Sequence, residues 1–132
     1  MTPQPPCRFY SDGRSIWFIE TLWAAMTGLP ATPLELQSVA ELDQVVWFSE
    51  AWGKRPTCRL VVEHCRRMMA ADLTYPVLLS PEGVVLDGMH RICKAMATGL
   101  TTISAVRLTS MPPPDERLHA NDPRYEAAPQ SD

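Results

Sequence analysis

Asp87-Gly88-Met89-His90-Arg91 stands between a short apolar run, Val84-Val85-Leu86, and a helix-spaced segment that continues to Gly99. Ahead of it lie Tyr75-Pro76-Val77-Leu78-Leu79 and the turn-forming string Ser80-Pro81-Glu82-Gly83. Pro at the second position of a turn and Gly at the fourth make residues 75–86 read as a hairpin. Both arms are near-continuously apolar, as expected of strands covered on both faces. The hairpin delivers the chain to Asp87, Gly88 lets the backbone bend sharply, and a helix follows. After Gly99, residues Thr102 to Leu108 alternate as a further strand, with Ile103, Ala105 and Arg107 on one face. Strand, strand, helix and strand in that order predict the α+β class, a small mixed sheet with helices packed on it.

The first N–H groups of such a helix have no partner within it, and its end carries roughly half a positive charge, which suits an anion. His90, Arg91 and Lys94 all fall in the first two turns. At about 100° per residue they share one arc, and Met89, Ile92, Cys93, Met96 and Leu100 take the opposite one, which is expected to be buried. A cation at a helix N-terminus is unfavourable by about 0.3–1 kcal/mol. The basic cluster is better accounted for if a phosphate docks among these groups. The plainer alternative is that Asp87 caps the helix and Glu82 or Asp87 neutralises the cations in solvent.

With 132 residues, a Pro-rich start and a polar end, the chain predicts one domain of about 100–110 ordered residues. The boundaries expected are an irregular arm at 1–14, the domain at 15–111 and a Pro-rich, polar tail at 112–132. Net charge is −3, from 12 Lys+Arg against 15 Asp+Glu, so nothing pulls the whole chain toward nucleic acid. No 18-residue apolar run suggests a membrane span, and the first twelve residues lack the apolar segment of a secretory signal. Cys7, Cys58, Cys65 and Cys93 form no Cys-x-x-Cys pair and read as reduced, mostly buried thiols of a cytoplasmic protein. No internal repeat and no metal-ligand spacing is present.

Elsewhere, Ser15 reads as the N-cap of a helix carrying Ile16, Ile19, Leu22, Trp23 and Met26 and stopped by Gly28. Trp17 falls on its other side, against the N-terminal arm or a partner. Leu34-Glu35-Leu36 suggests a short strand. Between residues 38 and 56 a helical turn should lead into a loop with Trp47 and Trp52, aromatics that stack on a base, close a pocket or cover core edges. Thr57 is a plausible N-cap for a helix to about Ala71 that buries Val61, Val62, Cys65, Met68 and Met69, with His64 at the border. A border histidine is either a packed residue or a ligand or proton-transfer group. The tail after Pro112-Pro113-Pro114 reads as flexible, free to dock in a homo-oligomer.

From about residue 72 to 108 the chain resembles the ParB/sulfiredoxin fold, whose members share a hairpin, a Gly-x-x-Arg loop, a helix and a strand. The strand at 34–36 and the helix after Thr57 extend the resemblance to half or two-thirds of the chain. Sulfiredoxin uses a Gly-Gly-Cys-His-Arg loop; Met89 stands here at the thiol position and cannot form a thiolate, which argues against sulfinic acid repair. ParB proper uses Gly-Glu-Arg-Arg to bind CTP and a metal, ahead of a DNA-reading domain. Met89 replaces that carboxylate, and neither DNA partitioning nor nuclease activity is favoured. Free-serine kinases carry Asp-Gly-His-His-Arg, closest to the string here. The resemblance then implies a nucleotide, ATP or ADP with CTP as a further option, and Mg2+ beside it. By that similarity Gly88, Met89, His90, Arg91 and Lys94 hold phosphates, and Asp87 and His90 are the catalytic pair. His64, Asp72 and Trp47 are candidates for the substrate or base pocket; Glu35, Glu50 and Asp72 are candidates for a general base. The implied activity is phosphoryl transfer to a small molecule; the alternative is a non-catalytic, nucleotide-responsive protein-interaction module.

Overall fold

The computed structural model describes residues 9–50, 53–123 and 125. Their elements are β1 (Phe9–Ser11), β2 (Ser15–Phe18), α1 (Ile19–Ala25), β3 (Thr32–Glu35), α2 (Cys58–Ala70), β4 (Val77–Leu79), β5 (Val85–Asp87), α3 (Met89–Ala97), β6 (Thr102–Arg107) and β7 (Glu116–Arg117). Short 3-10 turns at Leu36–Ser38 and Ala40–Asp43 follow β3. The class is α+β.

A four-stranded mixed sheet in the order β3-β6-β4-β5 carries the structure. Its hairpin, β4 against β5, closes where Gly83 N–H donates to Ser80 C=O at 2.9 Å, as the turn chemistry requires. A parallel neighbour cannot be reached by a tight turn. The chain therefore crosses through β5 and α3 before β6 pairs parallel with β4 and antiparallel with β3. Successive residues of β4 point to opposite faces. Val77 and Leu79 join Val85, Ile92, Ala95, Ile103 and Ala105 in the core beneath α3, whereas Leu78 joins Leu86, Val106 and Leu108 in a second core against Ile19 and Leu22 of α1. The sheet is thus covered on both faces, which is what the apolar runs require. Arg107, at the end of β6, is exposed and donates to Pro81 C=O at 3.1 Å.

Several local expectations are corrected. Residues 15–18 form β2 and the helix starts only at Ile19, because Ile16 and Trp17 pair with β1 and not with a following helical turn. Phe9–Ser11 is therefore a strand and not irregular arm; residues 1–8, with Cys7, lie outside the described residues. Nor is the segment after the prolines free. Glu116–Arg117 pairs with β2, Leu118 is buried, and the Asp115 carboxylate accepts from Phe18 N–H at 2.7 Å and Thr21 Oγ1–H at 3.0 Å. Trp17 lies between these two ends, its ring 6.0 Å from Tyr10 and its Nε1–H donating to Pro112 C=O at 2.7 Å.

Both helices that bear site residues bury narrower stripes than their apolar residues suggest. In α2, Thr57 caps as expected, its Oγ1 accepting from Leu60 N–H at 3.2 Å. Val61, Val62, Cys65 and Met69 are nevertheless exposed, and the helix turns Leu60, His64 and Met68 inward at i, i+4 and i+8. This follows from its position: it lies chiefly on α3, and a helix seated on another touches it along one line. In α3 the same narrowing leaves Ile92 and Ala95 buried but Met96 58% exposed, and Leu100, just past the helix end, is 49% exposed. No helix among the described residues is long and apolar enough to cross a membrane.

Candidate functional site

Gly88 makes the junction at the head of α3, with φ 124° and ψ 14°. A Cβ there would stand 3.0 Å from Arg91 Nη2 and 3.1 Å from Val77 Cγ2, so strain and crowding both reserve the position for glycine. From this bend the three basic residues fan out. His90 and Lys94 turn toward α2, and Arg91 turns toward α1 and the start of β4.

On the Arg91 side, Nη2 donates to Asp87 Oδ2 and to Pro76 C=O, each at 3.4 Å. Asp87 Oδ2 also accepts from Trp23 Nε1–H at 2.8 Å. The guanidinium carbon sits 6.0 Å from the Trp23 ring centroid, and Trp23 meets Tyr75 edge-on at 5.9 Å. The Arg91 side chain is only 15% exposed, yet its buried Nε–H has no hydrogen-bond partner. An aromatic wall therefore surrounds an ion pair of poor geometry. Trp23, read from its spacing as a core residue of α1, is the member that sequence reasoning missed. A half-buried indole needs an acceptor for its N–H, but spacing does not name that acceptor.

On the other side, His64 Nδ1 and His90 Nε2 share a hydrogen bond of 2.9 Å. Their rings lie within 8° of parallel, and the Trp47 indole stacks on both, at 4.5 Å and 7° from His64 and at 4.4 Å and 9° from His90. Phe48 closes the far edge of His64 at 5.6 Å. Burial, with His64, Arg67 and Arg91 alongside, pushes His90 down to about 4. Burial and Arg67 also hold His64 below the ordinary imidazole range. Near neutral pH His90 is therefore uncharged: it can donate or accept a hydrogen bond, but it brings no positive charge to a phosphate. Lys94 is committed elsewhere. Its Nζ donates to Met69 C=O at 3.0 Å and Ala71 C=O at 2.7 Å, closing the C-terminal end of α2.

The structure thus gathers Asp87, Gly88, Met89, His90, Arg91, His64 and Trp47 around one helix end but withdraws Lys94, and the single basic arc expected there is divided. Asp72 is exposed, and its Oδ1 accepts from Thr74 N–H at 3.0 Å and Thr74 Oγ1–H at 2.7 Å. These bonds hold its carboxyl below the usual range; Lys94 and Arg91 act on it through space without contact. Glu50 pairs at 3.8 Å with exposed Arg55. Glu35 is exposed on the outer strand β3. Trp52 lies outside the described residues. Burial raises the Cys93 thiol, which keeps it protonated and unreactive. Among the described residues no three His, Cys, Asp or Glu side chains stand together to hold a metal ion. A nucleotide's magnesium would need one or two carboxylates beside the phosphates, and Asp87 is the carboxylate that adjoins Arg91. Two shallow hollows lie elsewhere, one of about 200 Å³ beside Tyr10, Trp17 and Glu82 and one of about 360 Å³ along Thr32–Pro33 and Thr102–Ser104.

Comparison with protein-family models, with curated proteins and with solved structures returns no match. The functional reading rests on the site itself.

Proposed function

We propose that this domain binds the polyphosphate group of a nucleotide at the head of α3, with Arg91 as the principal grip. The observation that carries this reading is the state of Arg91: a desolvated guanidinium with an unpartnered Nε–H and two long contacts of 3.4 Å. A buried donor left without a partner costs about 1–3 kcal/mol, and more when it is charged. A phosphate oxygen would recover that cost through short, charge-assisted bonds, drawing the guanidinium away from Asp87. The adjoining helix N-terminus and the glycine bend offer backbone N–H groups to the same anion. The order hairpin, glycine bend, helix and parallel strand supports the resemblance to the ParB/sulfiredoxin domain.

Phosphoryl transfer to a small molecule is the second reading, favoured by Asp87, whose carboxylate is fixed beside Arg91 by the Trp23 indole. Such chemistry is mostly positioning and charge neutralisation. The structure supplies fewer cations than the sequence implies, with Lys94 and neutral His90 out of the count, so binding is the stronger half of the proposal.

Isothermal titration with tripolyphosphate, ATP, ADP, CTP and GTP, with and without magnesium, tests it. Wild-type protein should bind tripolyphosphate and at least one nucleotide saturably, and Arg91→Ala should weaken both by about tenfold or more, a loss of at least about 1.4 kcal/mol. No binding by the wild type, or equal binding by Arg91→Ala, contradicts the proposal. If a nucleotide binds, transfer of labelled γ-phosphate to a metabolite pool separates enzyme from module. Asp87→Asn should keep affinity and lose that transfer.

A further inference from the structure

The His64–His90 pair and the Trp47 indole take no part in gripping the anion, and their arrangement calls for its own account. The two imidazoles are joined edge to edge by a 2.9 Å hydrogen bond and lie within 8° of parallel, so together they present one flat surface. Their ring centroids stand 5.1 Å apart. Trp47 lies on this surface in the offset face-to-face arrangement that aromatic rings adopt, within 9° of both imidazoles. We propose that this imidazole pair is the stacking shelf for the base of the bound nucleotide, and that Trp47 holds the place of that base while the site is empty. The inference rests on the polyphosphate reading above and adds to it the part of the ligand that the grip leaves unspecified.

Three features support it. The shelf begins at His90, next in sequence to Arg91 and within reach of its charge, so a ligand whose phosphates meet the guanidinium would have to carry its base round the head of α3 toward α2. The shelf is also uncharged near neutral pH. Burial, with His64, Arg67 and Arg91 against Asp87 at His90, and with Arg67 and Lys54 against Glu63 at His64, leaves both imidazoles below their ordinary range. A neutral aromatic surface stacks on any base, since every base has a π-face. Trp47, finally, meets the imidazole pair through ring stacking. It stands in the irregular stretch between Asp43 and the Ser49–Lys54 bridge, next to Val45 at 74% and Val46 at 44% exposure. Trp17 and Trp23 donate their indole N–H groups to Pro112 C=O and Asp87, whereas the Trp47 indole has no such acceptor among the described residues.

The test sets ATP against tripolyphosphate, a ligand with phosphates and no base. Wild-type protein should bind ATP more tightly. Trp47→Ala should strengthen ATP binding about fivefold by removing the competitor, and His64→Ala should weaken it about tenfold; neither should change tripolyphosphate affinity by more than about twofold. Equal affinity for the two ligands overturns the shelf while sparing the grip. So does weaker ATP binding by Trp47→Ala, which would make the indole a clamp on the base, and so does an unchanged affinity, which would leave it a structural cover. Where a variant fails to fold, the wild type answers: the nuclear Overhauser contact between the Trp47 ring and His90 should vanish on adding ATP and persist with tripolyphosphate. Its persistence with saturating ATP overturns the proposal. If neither ligand binds, the polyphosphate reading fails and the shelf falls with it.

Discussion

Gly88 and Arg91 govern the site as a pair. The positive φ of the glycine sets the head of α3, and the missing Cβ leaves the space into which the guanidinium folds. Gly88→Ala should therefore destabilise the fold by about 1–3 kcal/mol through strain at φ 124° and the 3.0 Å approach to Arg91 Nη2. Chemical denaturation reads this as a lower midpoint at unchanged slope, and an unchanged midpoint contradicts it. Residue types were legible at this scale: the need for glycine and the presence of cations at a helix start both follow from the string 87–91. Partners were not legible. A helical wheel gives the direction in which a side chain leaves the helix and says nothing of what stands opposite. It therefore placed His90, Arg91 and Lys94 on one arc, although a carboxylate, an imidazole and two carbonyls each claim one of them.

Among elements, α2 and α3 are joined by polar groups at two places. Lys94 satisfies two carbonyls at the end of α2, and His90 meets His64, the residue that α2 buries. Lys94→Met removes the cation from the negative end of that helix and should cost about 1–2 kcal/mol. The amide protons of residues 67–70 should exchange faster in the variant; wild-type exchange and wild-type melting would contradict the capping role. Elements built on local chemistry were readable: the Ser80–Gly83 turn, the Thr57 cap and the hairpin arms. The strand β2 was not, because Ser15–Phe18 carries helix-compatible spacing and becomes a strand only through β1 and through β7 from the far end of the chain. The exposed Val61, Val62 and Met69 mislead for a related reason, since apolar character alone does not show which line of a helix has a neighbour to lie on.

For the whole molecule, the mixed sheet with a core on each face was expected from the apolar runs, while the second sheet that ties both ends of the chain together was not. The buried imidazole pair makes stability depend on pH. His90 has its pKa lowered from 6.5 to about 4 in the folded state, so between those values the unfolded chain takes up a proton that the fold refuses. Its contribution is complete above about 6.5 and declines as pH falls toward about 4, with His64 acting in the same direction. The denaturation midpoint should therefore drop between pH 7 and pH 5 in the wild type and drop less in His90→Gln; identical slopes would contradict the assignment. The most direct test of the anion grip is a 15N NMR titration with tripolyphosphate that follows the backbone amides of residues 88–92 and the Nε–H of Arg91. Saturable shifts concentrated at those groups are expected. Shifts scattered over surface lysines and arginines, or none at the head of α3, would show that Arg91 and its helix end do not hold an anion.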